Sequence, residues 1–316
     1  MSLLRILLFL LFLTSCGSDN GGPTVASPSG SDSPVTASAS VSSDPTPVPA
    51  AVSGSSIELW QLPSQSTLQM MSYVLKKGDS DLVVIDGGQT ADAEYLRAFL
   101  KGQTVNAWII THTHPDHVNA LISLLESNTA PKIDRIYWGY VDRTWLTSTQ
   151  ASGARQYDRF LAAVNAAQIP LVAPAPGDRF TVGKLDFVVL SAANPELPGL
   201  NNSSLVFKLL TPQTVLFLAD VVDESVLLSK KRDLLPSDIV QMSHHGQTGL
   251  TKEIYKVINP YICLWPTTRW LWENDNGNGF DSGPWTMLET RSWMYELGVE
   301  VHIVQADGLQ KVVLSR

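Results

Sequence analysis

Cysteine is scarce in this 316-residue chain, which contains only Cys16 and Cys263. Because Cys16 lies near the start of the chain, no disulfide can form within the part that follows it. Cys263 stands in the strand-like apolar run 261–265, where a free thiol behaves as a small buried hydrophobe. The folded part must therefore be stabilised by its apolar core, and the length that remains is enough for one large domain.

Positive charge is also in short supply. The chain has 22 Lys and Arg against 30 Asp and Glu, which gives a formal net charge of −8. Binding to long nucleic acid depends on basic side chains that neutralise phosphates, and no basic run is present. The composition therefore argues against a long nucleic acid as the partner.

Long hydrophobic runs are missing as well. The most apolar segment, residues 6–13, has eight residues, whereas about 20 are needed to span a bilayer. Arg5 precedes this run, so residues 1–16 are typical of an export signal. Leu-Thr-Ser-Cys at residues 13–16 resembles a bacterial lipobox, in which Cys16 would become lipidated. We expect an exported, membrane-anchored lipoprotein, at the outer membrane if the host has one; the alternative is an ordinary secretory signal cut nearby.

Residues 17–56 contain few large apolar side chains and are rich in Ser, Pro, Thr, Ala and Gly. Such a segment cannot bury enough apolar surface to offset the entropy of ordering it. We expect a disordered linker here, followed by a folded domain over residues 57–316.

Histidine is rare too, but five of the six histidines lie in two short motifs. The first motif is Thr-His-Thr-His-Pro-Asp-His over residues 111–117, and it follows the apolar run 107–110, which is typical of a buried strand. Because proline lacks the N–H group that sheets and helix interiors need, we expect Pro115 to keep the histidines in a loop.

The spacing within the first motif suggests two adjacent metal ions. In an extended loop His112 and His114 point the same way, because side chains alternate with a period of two. Asp116 and His117 follow a turn and can face a second ion. Imidazole and carboxylate are common ligands of zinc. The alternative, a polar surface loop, does not account for the concentration of histidines.

This pattern, His-x-His-x-Asp-His after a buried strand, resembles the metallo-β-lactamase superfamily, and the resemblance covers residues 57–316. It implies an α/β fold, a four-layer αβ/βα sandwich in which two mixed sheets face each other. It also implies that Asp86 supports the metal site from behind, that Asp220 bridges two metals, and that His245 is a ligand of the second metal. Each aspartate follows an apolar strand, so a plain turn or cap is the alternative.

The chain departs from the superfamily pattern at one ligand, since no histidine occurs between His117 and His244. The segment with Asn201 and Ser204 resembles a branch that includes the extracellular domain of bacterial DNA-uptake channel proteins, and His-His-Gly matches the same branch. An Asx turn is the alternative for Asn201. His244 could replace the missing metal ligand, donate a proton, or support the site, and these alternatives stay open.

The resemblance implies a hydrolase with two divalent ions, with Asp116 and His244 among the catalytic residues. Metal ions that share Asp220 lower the pKa of a water between them to about 7, which supplies a hydroxide. Zinc is the default for such ligands, and manganese or iron suits a site with more oxygen donors. The branch favours a phosphodiesterase or related phosphoesterase acting on a small-molecule or cell-envelope substrate. The alternatives are a lactonase or β-lactam hydrolase, and a silent surface binding protein.

A tryptophan-rich segment follows the second motif. We expect Trp270, Trp272 and Trp285 to line the entrance to the metal site and grip the substrate, because indole faces bind sugar rings and quaternary ammonium groups. The alternative is that these indoles pack the loop against the domain. Apolar periodicity predicts helices at residues 91–100, 120–125, 156–167 and 286–297.

Overall fold

The computed structural model of the protein describes residues 56–314. The predicted export signal, Cys16 and the linker up to residue 55 lie outside the described residues. Within 56–314, no helix combines the length and the hydropathy that crossing a membrane would require.

Strands and helices are interspersed along the chain, and the strands belong to two sheets. Their bounds are β1 (Ile57–Gln61), β2 (Ser72–Lys77), β3 (Asp81–Asp86), β4 (Ala107–Ile110), β5 (Ile136–Trp138), β6 (Leu171–Val172), β7 (Arg179–Val182), β8 (Leu185–Ser191), β9 (Val206–Leu209), β10 (Val215–Phe217), β11 (Ile239–Gln241), β12 (Ile262–Trp265), β13 (Val301–Val304) and β14 (Gln310–Leu314).

Each sheet has seven strands and mixes parallel with antiparallel pairs. The first follows the order β14-β1-β2-β3-β4-β5-β6 and the second β13-β12-β11-β10-β9-β8-β7. Strands β3 to β6 are parallel to one another, and so are β10 to β13. Strands β3 and β4 are buried along their whole length, as expected for parallel strands covered on both faces.

Helices cover the outer faces of both sheets. Their bounds are α1 (Ala93–Leu100), α2 (Pro115–Glu126), α3 (Arg143–Thr149), α4 (Ala151–Ala166), α5 (Ser225–Lys230), α6 (Lys252–Ile258), α7 (Arg269–Trp272) and α8 (Met287–Glu296). One apolar cluster joins the first sheet to α1, α2 and α4, a second lies between the sheets, and a third joins the second sheet to α5, α6 and α8. Three interfaces between four layers confirm the predicted αβ/βα sandwich.

The structure corrects the expectation that Pro115 keeps the whole motif in a loop. Pro115 is the first residue of α2, where its missing N–H would have had no helical partner in any case. Asp116 and His117 therefore lie in the first turn of a helix, and this helix is longer than the predicted 120–125. Helix α4 likewise begins at Ala151, ahead of the predicted start at residue 156.

Candidate metal centre

The polar side chains of the motifs meet at one edge of the sandwich, beyond the carboxyl ends of parallel strands. Asp86 ends β3 and His112 follows β4, whereas Asp220 follows β10 and His245 follows β11. Carboxyl ends of neighbouring parallel strands share an edge, which is where α/β folds place their sites. The architecture therefore brings together residues that are more than 100 positions apart, as in the 3.2 Å approach of His117 Nε2 to Asp220 Oδ2.

Several residues at this edge adopt left-handed backbone angles that are uncommon for side chains other than glycine. The φ angles are 53° at Asp86, 51° at Ala219, 48° at His244 and 59° at His245. Such angles cost roughly 1–3 kcal/mol each and persist only where the surroundings fix them. Gly246 has a φ of 81°, and a Cβ there would lie 2.6 Å from the Trp265 ring. The His-His-Gly segment is thus a tightly constrained turn.

Two imidazoles and two carboxylates converge on one point. One ligand atom from each of Asp116, His117, Asp220 and His245 lies within 4.8 Å of the others. His245 Nε2 is 3.0 Å from Asp116 Oδ2, and His117 Nε2 is 3.7 Å from the same oxygen. Two nitrogen and two carboxylate donors at this spacing fit a divalent cation such as zinc. These residues are referred to below as the four-donor group.

Hydrogen bonds behind the four-donor group set the orientation of both imidazoles. His117 Nδ1 lies 2.8 Å from Asp86 Oδ2, and His245 Nδ1 lies 2.7 Å from the carbonyl oxygen of Pro266. Both partners accept hydrogen bonds, so the Nδ1 atoms carry protons and the Nε2 atoms face the group. Metal-binding histidines commonly have such partners, which fix the tautomer that can bind metal.

Asp86 is fully buried and connects the motif to the strand before it. Its carboxylate accepts hydrogen bonds from the Thr111 backbone N–H and from Thr111 Oγ1, each at 2.8 Å, besides the one from His117. Burial raises the pKa of Asp86, although the charge of His117 and these hydrogen bonds oppose the shift. The structure thus places Asp86 where the resemblance expects a residue that supports a ligand.

The charges of the four-donor group compensate one another in the metal-free protein. Burial lowers the pKa of His245, but Asp220 and Asp116 outweigh it and raise that pKa to about 10. The pKa of His117 is likewise held well above its usual value by Asp220, Asp86 and Asp116, against the effect of burial. Protons on the two histidines therefore stand in for a cation, and a metal ion would displace them.

One carboxylate oxygen of Asp220 has no hydrogen-bond partner among the described residues. Its Oδ1 is buried and has no hydrogen-bond partner among the described residues, whereas Oδ2 faces His117. A buried carboxylate oxygen without a partner is costly in free energy. This free oxygen of Asp220 and the imidazole and carboxylate donors around it fit a divalent metal ion.

His112 and His114 form the other half of the predicted dinuclear site. His112 Nε2 lies 3.0 Å from His114 Nδ1 and 3.8 Å from Asp220 Oδ2. His112 Nδ1 is near Thr111 Oγ1 at 3.2 Å and Ser204 Oγ at 3.4 Å. Burial, with the neighbouring imidazoles, holds the pKa of His112 well below its usual value, so this ring is neutral.

Gln150 is the residue at this site that the sequence did not point to. Its side-chain Nε2 is 2.8 Å from His114 Nε2, and its Oε1 accepts a hydrogen bond from the Leu200 backbone N–H at 2.8 Å. Gln150 lies at the junction of α3 and α4, 36 residues after His114. It belongs to no motif, so nothing in the sequence distinguishes it from an exposed glutamine.

His244 lies next to the four-donor group in the chain but is not one of its members. Its Nδ1 donates to the Thr248 carbonyl oxygen at 2.8 Å, and its Nε2 accepts from Asn201 Nδ2 at 3.2 Å. Asn201 Oδ1 is buried without a partner among the described residues. The structure therefore brings His244, which was considered for the missing ligand, next to Asn201 of the segment that resembles the DNA-uptake branch, and both ring nitrogens of His244 already have partners.

The three indoles of the tryptophan-rich segment contact the protein itself. Trp270 donates from Nε1 to the Thr67 carbonyl oxygen at 2.7 Å, and its ring centroid is 4.8 Å from that of Trp285. Trp272 packs edge-on against the buried Trp265 at 5.2 Å, with the Arg291 guanidinium 3.9 Å above its ring. These contacts support the packing interpretation, and the substrate-gripping role stays a prediction.

Comparison with known proteins agrees with the fold and the donor set. Residues 67–251 match the family described as the metallo-beta-lactamase superfamily, so the chain belongs to that superfamily. With its His and Asp donors, it is a metal-dependent hydrolase of this class. A comparison of the sequence with curated proteins finds no match.

Two solved structures illustrate the similarity. The metallo-beta-lactamase fold protein YhfI from Bacillus subtilis has a TM-score of 0.52 and 14% identity, over 80% of this chain and 99% of that chain. CmlA, a diiron beta-hydroxylase from Streptomyces venezuelae, has a TM-score of 0.53 and 12% identity, over 86% of this chain and 55% of that chain. At such low identities the similarity establishes the fold alone.

Proposed function

We propose that this metal-dependent hydrolase is an exported, lipid-anchored phosphoesterase that cleaves phosphoric diesters among small-molecule or cell-envelope substrates. The observation that carries the proposal is the four-donor group, in which outer hydrogen bonds aim the Nε2 atoms of His117 and His245 at the carboxylates of Asp116 and Asp220. A silent binding protein would not need donors whose tautomers are fixed in this way.

The choice of a phosphoric ester rests on the donors and on the resemblance. Two carboxylates beside two imidazoles make the group rich in oxygen, which suits zinc and also manganese or iron. Asn201, Ser204 and the His-His-Gly segment resemble a branch that favours phosphoric esters. Lactonases and β-lactam hydrolases of the superfamily usually keep the third histidine that this chain lacks.

The metal ions would supply the reactive chemistry, and the side chains of the protein would hold the ions. Divalent ions supply a Lewis acid for the phosphoryl oxygens and lower the pKa of water. Asp116, His117, Asp220 and His245 would hold one ion, and His112 and His114 would take part in holding a second. Asp116 has the most exposed side chain of the four-donor group, at 19%, which supports a contact between this carboxylate and the substrate.

The role of His244 in the reaction follows from its hydrogen bonds. Asn201 donates to its Nε2, so the neutral ring has its proton on Nδ1, where the Thr248 carbonyl accepts it. A proton on Nε2 would face the amino group of Asn201, and two donors cannot pair, so Asn201 has to move away before His244 can pass a proton to a leaving group. We propose that His244 is not a metal ligand, because both of its ring nitrogens already have partners, and that it donates a proton only when Asn201 has left Nε2.

A substrate panel tests the proposed activity. Phosphodiester, phosphomonoester, lactone and β-lactam substrates are offered to the protein loaded with Zn²⁺ or Mn²⁺, with Asp220→Asn as the inactive control. We expect the phosphodiesters to be hydrolysed fastest and the control to lose this activity. Faster turnover of lactones or β-lactams would refute the phosphoesterase, and no turnover of any substrate would favour a binding protein.

Export and anchoring are tested separately, by fractionation of cells that express the Cys16→Ser variant. We expect the variant to leave the membrane fraction, because the apolar run at residues 6–13 is too short to anchor the chain by itself. Unchanged fractionation would show that the attachment does not depend on Cys16.

A further inference from the structure

The side chain of Gln150 is held in one orientation by its surroundings. Its backbone N–H donates to the Leu146 carbonyl oxygen at 2.8 Å, and its own carbonyl accepts from the Gly153 N–H at 3.0 Å. The side-chain amide then lies between the Leu200 backbone N–H and His114 Nε2, at 2.8 Å from each. A side chain fixed at both ends can impose its hydrogen-bond pattern on its neighbour.

The two ends of an amide are told apart by the partners they meet. The Leu200 backbone N–H can only donate, so the atom that faces it must be Oε1 of Gln150. The Nε2 amino group therefore faces His114, and it can only donate. His114 Nε2 must accept this hydrogen bond, because two donors cannot be paired.

The tautomer of His114 follows from this bond. A neutral imidazole that accepts at Nε2 carries its proton on Nδ1. That Nδ1–H points at His112 Nε2, 3.0 Å away. The nitrogen of His114 that faces the metal centre therefore carries the only proton of the ring. His117 and His245 differ, because each keeps a proton on Nδ1, bonded to an oxygen atom, when a metal displaces the proton on Nε2.

Binding of a metal by His114 would require a change in this hydrogen-bond network. The Nδ1 proton would have to leave or move to Nε2, and an Nε2–H would then oppose the amino group of Gln150. The amide cannot simply rotate by half a turn, since its amino group would then meet the Leu200 N–H. The four-donor group has no such obstacle, because the partners behind His117 and His245 are oxygen atoms.

We propose that Gln150 is a positioning residue that makes the two halves of the centre unequal: the four-donor group binds a divalent ion tightly, and the half containing His112 and His114 binds a second ion weakly. The inference deepens the proposed metallohydrolase and rests on its metal centre. The second ion then becomes a loosely held one, whose occupancy follows the concentration of free metal outside the cell.

The variant Gln150→Glu replaces the amino group that faces His114 Nε2 by an oxygen, so a hydrogen-bond donor becomes an acceptor. A glutamate still accepts from the Leu200 N–H and can also accept from His114 Nε2–H, which frees Nδ1 for metal. A change of partner behind a ligand alters metal affinity by about 10–100-fold, so the second ion should bind more tightly by that factor. Gln150→Leu removes the opposing donor without adding an acceptor and should give a smaller gain. Ser148→Glu adds the same charge at an exposed position of α3 and should give no gain.

Two measurements on the full-length protein carry the test. Calorimetric titration of the metal-free protein with Zn²⁺, and with Mn²⁺, gives the dissociation constants of the first and second ions for wild type and the three variants. Nitrogen-15 spectra of the histidine rings in metal-free protein give the tautomer of His114 without any metal or hydrolysis. We expect Nδ1–H in wild type and Nε2–H in Gln150→Glu.

Equal affinity for both ions in wild type would overturn the proposal, as would an Nε2–H tautomer of His114 in wild type. A gain in Ser148→Glu as large as that in Gln150→Glu would also overturn it, because charge alone would then explain the effect. These outcomes are distinct from failure of the proposed phosphoesterase, which the substrate panel reports on fully loaded protein.

Discussion

Replacement of Asp86 by asparagine should weaken metal binding although Asp86 does not belong to the four-donor group. The carboxylate of Asp86 accepts from Thr111 N, Thr111 Oγ1 and His117 Nδ1, each at 2.8 Å. An asparagine keeps only one side-chain oxygen. That oxygen must face the Thr111 backbone N–H, because this group can only donate a hydrogen bond. Its amino group then faces Thr111 Oγ1, which can accept, and His117 Nδ1, which carries a proton.

The conflict at His117 determines the size of the effect. His117 avoids it by giving up the proton on Nδ1 and keeping the one on Nε2, the atom that faces Asp220 at 3.2 Å and would bind metal. Loss of such a partner typically weakens metal affinity by about 10–100-fold. The lost hydrogen bond to a charged group should also lower the free energy of unfolding by roughly 1.5–3 kcal/mol.

Asp92 offers a matched control in the same part of the fold. It is 2% exposed, and its carboxylate accepts from the backbone N–H groups of Gln65 at 2.6 Å and Gln89 at 2.8 Å. Asp92→Asn should therefore lower stability without changing metal affinity. Calorimetric titration and thermal unfolding of both variants separate the two effects. If Asp86→Asn binds metal as tightly as wild type, the assigned role of the Asp86–His117 hydrogen bond is wrong.

Three further predictions concern stability. Trp272→Ala should lower the free energy of unfolding by roughly 3 kcal/mol with little change in KM, because its ring packs on Trp265 and under Arg291; a raised KM at unchanged stability would instead support substrate gripping. Gly246→Ala should cost about 1–3 kcal/mol through its contact with Trp265 and should also reduce metal retention by displacing His245, so full retention would count against the constrained turn. The stability of metal-free protein should fall as pH rises from about 6.5 towards 10. The pKa of His245 is about 6.5 in the unfolded chain and about 10 in the folded protein, so protonation of His245 stabilises the fold fully below pH 6.5. This stabilisation is lost as pH rises through the folded pKa of about 10. Thermal unfolding in the presence of a chelator checks this slope, and rising stability over that window would contradict it.

The fold was accessible from the sequence because its strongest signals are local. Wholly apolar strands such as β4, followed directly by the first histidine motif, indicated the superfamily and its two facing sheets. The prediction of a loop through Pro115 is wrong, because proline is disfavoured in a helix interior but suits the first helical position. The structure then places Asp116 and His117 on that first turn, beside a loop whose Met71 N–H donates to the Asp116 carbonyl oxygen at 3.0 Å.

The less predictable features depend on contacts between distant segments. Gln150 contacts His114 because the junction of α3 and α4 lies against Leu200. No local sequence pattern predicts this contact. The partners of the tryptophans, Thr67 and Arg291, likewise come from elsewhere in the chain. Resemblance supplied the expected places of Asp86, Asp220 and His245, but the proton positions that separate one half of the centre from the other required the three-dimensional hydrogen-bond network.

The metal content of the purified full-length protein tests the central claim most directly, which is that Asp116, His117, Asp220 and His245 hold a divalent ion. Wild type and Asp220→Asn are loaded with Zn²⁺ or Mn²⁺, dialysed against metal-free buffer and analysed by elemental mass spectrometry, with circular dichroism as the check on folding. The account predicts that wild type retains one ion per chain and that the folded Asp220→Asn variant retains almost none. A wild type that retains no ion, or a variant that retains as much as wild type, would contradict it.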